Sequence, residues 1–124
     1  METATPTVSL YERIGGAEVL RRVASDLVDA HAANPAIGSR FRNIDAVTAK
    51  QHAFEFFCMG SGGPQPYTGR DLRDVHTGMN LSDQEFVASV DDLLAVLRRN
   101  GVGQREQEEV LFIFFSLKGE VLRL

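Results

Sequence analysis

Apolar residues recur three and four positions apart along almost the whole chain, and no stretch alternates with period two long enough to make a sheet strand. Such a pattern folds as amphipathic helices, and its breaks set their bounds. Leu10, Tyr11 and Ile14 predict a very short first helix, stopped by Gly15-Gly16. From Ala17 to about Ala33, Val19, Leu20, Val23, Leu27 and Ala30 form one stripe that ends near Asn34-Pro35. Pro35 suits the first turn of a brief helical piece through Phe41, and Asp45 is a good N-cap for a helix to about Met59. Residues 60–69 hold four glycines and two prolines, a loop that cannot be regular helix. A short helical piece carrying His76 follows. Ser82 and Glu85 form a capping box for a helix with Phe86, Val90, Leu93, Leu94 and Leu97 on one side, stopped by Asn100-Gly101. A final helix is expected from about Gln104 to Leu122, apolar through Val110, Leu111, Phe114, Leu117 and Val121. The expected fold class is all-α.

With 124 residues, 44% of them hydrophobic, the chain can build one core, which predicts a polar, disordered tail over residues 1–9 and one domain over 10–124. A net charge of −4 offers no broad basic surface for phosphate backbones, so nucleic acid is not an expected partner. The doublets Arg21-Arg22, Arg98-Arg99, Asp91-Asp92 and Glu108-Glu109 are expected on solvated faces. Cys58 stands alone, so no intrachain disulfide forms, and it reads as a small buried hydrophobe. Met1 to Ser9 lacks the basic start and long apolar stretch of a secretory signal, and the run Val110 to Phe115 is too short to cross a bilayer. The expectation is a cytoplasmic protein without a membrane partner.

Chemistry has few places to reside. Of three histidines, His52 shares a helix face with Phe56 and Met59, and His76 follows Leu72 and Val75. Apolar walls keep imidazole neutral, the form that binds iron. Phe41, Phe54, Phe56, Phe57 and Phe86 offer flat apolar surface suited to a porphyrin, although core packing accounts for them equally well. The glycines at 60, 62 and 63 follow a helix and precede no Lys-Ser or Lys-Thr, a poor phosphate cradle. Zinc would need close ligand spacings that are missing, and no serine or cysteine stands in a nucleophile setting.

The motif from Leu10-Tyr11-Glu12-Arg13-Ile14 to Gly15-Gly16, the loop from Gly62 to Arg70, and Val75-His76 together resemble the group I truncated haemoglobins, over nearly all of the chain after the tail. The resemblance implies a two-over-two helical sandwich with a much shortened first helix and one haem b per chain, ligated by His76. It implies that the other ring nitrogen of His76 is held by a carbonyl or carboxylate, a partner not visible in the sequence. The usual tyrosine and glutamine on the far side of the haem are replaced by Val28 and Ala53, and Ala49 beside them also lacks a hydrogen-bonding group. His52 falls where some group I members carry a histidine that binds the iron directly. The expected ligands are therefore His76 and His52, or His76 alone with His52 lining the pocket. Lys50, Tyr67 and Arg70 are candidates for the haem propionates, and Phe41, Phe56, Phe57, Leu72, Val75 and Phe86 for the pocket walls. His31, near the end of its helix, is expected to be exposed.

The resemblance implies reversible binding of oxygen, nitric oxide or carbon monoxide, as an oxygen-transport carrier, scavenger or sensor. The alternatives are bis-histidine electron transfer or redox sensing, a nitric oxide dioxygenase or nitrogen oxide reductase served by an unidentified reductase, and a haem-free helical sensor. Val28 and Ala53 weaken the dioxygenase reading, because oxygen would lack a hydrogen bond.

Overall fold

A computed structural model describes residues 8–124 of the chain. Residues 1–7, most of the expected tail, lie outside that range. The described residues form six α-helices: α1 (Leu10–Ile14), α2 (Gly16–Ala33), α3 (Ala46–Gly60), α4 (Leu72–His76), α5 (Asp83–Arg99) and α6 (Gln104–Ser116). No strand occurs among the described residues; a single bridge joins Leu81 and Leu122.

Local chemistry sets the boundaries. Ser9 caps α1, its Oγ accepting from the Glu12 amide, and Gly15, at φ 126°, turns the chain between α1 and α2. Asp45 caps α3 by accepting from the Val47 and Thr48 amides, and the Ser82–Glu85 capping box starts α5. The expected helical start at Pro35 is not formed. Asn34 Oδ1 instead accepts from the Ala36 amide at 2.9 Å, a local turn that competes with helix, and the chain resumes as a 3₁₀ turn over Gly38–Phe41.

The last helix also differs from expectation: α6 stops at Ser116 and gives way to a 3₁₀ turn over Lys118–Glu120. Beyond it, the Leu124 carbonyl accepts from the amides of Gly78 and Asn80 at 3.0 and 2.8 Å, and the Arg123 amide donates to Leu81 O at 3.0 Å. Those bonds need a non-helical chain, with Arg123 at φ 55°, so pairing with residues 78–81 overrides the apolar periodicity that runs on through Val121.

Packing follows a two-over-two plan. Helix α2 lies along α3 and also contacts α5, while α5 meets α6. Leu20, Val23, Cys58, Leu93, Val96 and Leu97 have no exposed surface and form the centre of the main core. A smaller cluster joins Phe86, Val90 and Leu122. The Arg13 guanidinium donates to Glu106 at 3.0 Å and to Glu109 at 2.8 Å, tying α1 to α6.

Two sequence expectations change here. His31 is only 12% exposed in its side chain; its Nδ1 lies 2.8 Å from Asp92 Oδ2, and its ring stacks at 5.6 Å on Phe41. Asp92 accordingly sits half-buried between α5 and α2, where Asn34 also donates to it at 3.2 Å, instead of on a solvated face. Both residues point across a helix interface that a single-helix pattern cannot reveal.

Candidate functional site

Helix α4 is short and ends on the histidine that the sequence singles out. His76 Nδ1 lies 2.8 Å from the main-chain carbonyl of Leu72, one turn earlier. A carbonyl only accepts, so Nδ1 carries the hydrogen and the tautomer is set. Nε2 is left with its lone pair, the arrangement in which imidazole ligates a metal while its other nitrogen is held.

Leu72 also borders a cavity of about 400 Å³ between α3, the following loop and the chain's last turn. Phe56 and Met59 come from α3, Tyr67 from the loop, and Leu117 and Glu120 from the C-terminal turn. The surfaces that meet there are mostly apolar, and the helices that bear the histidines rest on different supports: α3 on α2, α4 on the 3₁₀ turn Lys118–Glu120. A largely apolar cleft bordered by the helix of one oriented imidazole fits a haem.

His52, on α3, is half-buried, with its ring 6.1 Å from Tyr67 at an interplanar angle of 70°. Phe56 meets the same tyrosine edge-on at 5.4 Å. Gly69 permits this loop conformation, because a Cβ there would come within 2.4 Å of the Tyr67 hydroxyl. That hydroxyl donates to Arg70 O at 2.6 Å. The structure thus groups Phe56, Tyr67 and Leu72 around the cavity, with His52 and His76 each one contact away through Tyr67 and Leu72.

The other candidates do not line that cavity. Phe41 stacks on His31, Phe57 packs against the main core, and Phe86 is buried among Val90, Leu122, Phe114 and Phe115. Val75 is exposed. Lys50 Nζ pairs with Asp29 at 2.9 Å, and Arg70 donates to Asp74 O at 3.2 Å. Val28 is buried yet belongs to neither apolar cluster, whereas Ala53 packs against the main core. Leu72 O, Leu117 and Glu120 join the site with no sequence signal for these roles. A main-chain carbonyl carries no residue signature, and Leu117 and Glu120 lie in the turn that follows the early end of α6.

One acidic group near the site has an environment of its own. The Glu55 carboxylate accepts from Gln51 Nε2 at 2.9 Å and from the Thr68 hydroxyl and amide at 2.7 and 2.9 Å. These bonds, Gln51's foremost, hold its pKa down to about 2 against the cost of burial.

Paired helix layers, and a short helix that ends on His76 and borders an apolar cleft through Leu72, define a haem-binding globin of the truncated class. The family described as bacterial-like globin matches residues 9–123. The group 1 truncated hemoglobin GlbN of Mycolicibacterium paratuberculosis is 30% identical over 113 residues, covering 91% of this chain and 83% of that protein. The truncated hemoglobin of Tetrahymena pyriformis in its Fe(III) form superposes with a TM-score of 0.90 at 25% identity, covering 94% of this chain and all of that one. A 2/2 hemoglobin from Synechococcus sp., solved in the cyanomet state with covalently attached heme, gives 0.85 at 29% identity, covering 93% and 98%. The chain belongs to the bacterial-like globin family, within its truncated haemoglobins.

Proposed function

We propose that this globin carries one haem b ligated by His76 Nε2 and binds oxygen, nitric oxide or carbon monoxide at the opposite iron position. The observation that carries the reading is the 2.8 Å bond from His76 Nδ1 to Leu72 O, which orients the ring and leaves Nε2 as the donor. Haem, when bound, supplies an iron centre with a sixth position open to a diatomic ligand. Phe56, Tyr67 and Leu72 give the cavity its mainly apolar wall.

His52 is the internal competitor for the sixth position. Its edge-on contact with Tyr67 restricts the imidazole's freedom before any ligand arrives. Val28, Ala49 and Ala53 supply no side-chain hydrogen bond on that side, so His52 is the polar group the reading places there. The same constraint on His52 favours a second reading, bis-histidine electron transfer, in which fixed axial ligands limit rearrangement between oxidation states.

Optical spectra of the purified ferric and ferrous protein test the assignment. The expected result is a six-coordinate low-spin spectrum that becomes five-coordinate high-spin in His52→Ala. A five-coordinate high-spin wild type that His52→Ala leaves unchanged overturns His52 ligation.

A further inference from the structure

We infer that Glu55 is a positioning residue, holding the loop at Thr68 so that Tyr67 stays packed against His52 and fixes the orientation of that imidazole. Glu55 stands three residues after His52 on α3 and is 8% exposed. Both of its carboxylate oxygens are engaged: Oε2 accepts from Gln51 Nε2 at 2.9 Å, and Oε1 accepts from the Thr68 amide at 2.9 Å and the Thr68 hydroxyl at 2.7 Å. A buried carboxylate must satisfy its lone pairs, and here it does so by gripping the loop residue next to Tyr67.

The geometry makes the grip directional. Tyr67 is held on one side by its hydroxyl bond to Arg70 O at 2.6 Å and on the other through Thr68. Between those anchors its ring stands edge-on to His52 at 6.1 Å and to Phe56 at 5.4 Å. With the loop released, the ring loses one of its two anchors, and with it the wall that limits the rotamers of His52. Glu55 thereby acts on the imidazole through Tyr67, without itself touching a ligand. The consequence at the sixth position rests on the His52 reading above; the latch itself does not.

The test compares wild type, Glu55→Ala and Glu55→Gln as haem-loaded proteins, with Thr68→Val as a milder variant at an exposed residue. Nuclear Overhauser contacts from the Tyr67 ring to His52 and Phe56, and hydrogen exchange at the Thr68 amide, read the latch in either coordination state. Glu55→Ala is expected to lose the Tyr67 to His52 contact and to exchange the Thr68 amide about tenfold faster. Glu55→Gln should restore both, because its amide oxygen still accepts from Thr68, and Thr68→Val should fall between. In a six-coordinate wild type, carbon monoxide binding limited by His52 release should become several-fold faster in Glu55→Ala and return in Glu55→Gln. A folded Glu55→Ala protein that keeps both the ring contacts and the amide protection overturns the latch. If Glu55→Ala does not fold, Thr68→Val decides, and unchanged contacts and protection there overturn it. Lost contacts with unchanged carbon monoxide kinetics overturn the effect on His52. A five-coordinate wild type overturns the His52 reading alone, and the ring contacts then still judge the latch.

Discussion

Substituting tyrosine for Val28 places a hydroxyl where the resemblance to group I truncated haemoglobins puts a missing hydrogen-bond donor. Val28 is 8% exposed and lies outside both apolar clusters, so a larger side chain enters a closed position. Two effects then compete. Overpacking at a buried site costs about 1–3 kcal/mol of stability. A hydroxyl donating to bound oxygen contributes about 1 kcal/mol, which slows oxygen dissociation roughly fivefold. The two separate cleanly if Val28→Phe is measured beside Val28→Tyr, since phenylalanine adds nearly the same volume and no donor. Urea unfolding should show both variants destabilised to a similar degree. Stopped-flow oxygen release from the ferrous proteins should be slow only in Val28→Tyr. Equal release rates for the two variants refute the reasoning that an absent donor at Val28 sets oxygen retention.

Two further outcomes follow from the same structure. Asp92→Ala leaves His31 Nδ1 and the Asn34 amide without their partner between α2 and α5, and should cost about 1–3 kcal/mol, read as a lower urea midpoint at unchanged slope; a midpoint equal to wild type would contradict the interhelix role. Glu55, held near 2 in the folded protein against an ordinary 4.5, contributes stability that is present above about pH 4.5 and is lost as pH falls toward 2, because the unfolded chain then binds the proton first. Urea midpoints across that range should fall less steeply in Glu55→Gln than in wild type, and identical acid profiles would count against the carboxylate's role.

The helical class and most helix boundaries were legible because they depend on local chemistry. The Ser82–Glu85 box, the Asp45 cap and the Gly15 turn each act within four residues of chain, and each appears where the sequence places it. The end of α6 was not legible, because Leu81 and Leu122 must meet before the chain abandons its periodicity. The burial of His31 is not legible for a related reason: its partner Asp92 lies 61 residues away on another helix. At the site, His76 and His52 stand out by residue type and apolar neighbours. The carbonyl that orients His76 has no side-chain signature, and the Glu55–Thr68 latch joins two ordinary polar residues across a glycine-rich loop.

His76, oriented by Leu72, is the proposed protein ligand of the haem. Optical spectra of wild type and His76→Gly at equal haem content, each with and without added imidazole, test it most directly. His76→Gly should lose the histidine-ligated ferrous and carbon monoxide spectra, and free imidazole should restore them. A His76→Gly protein whose spectra match wild type without imidazole would contradict it.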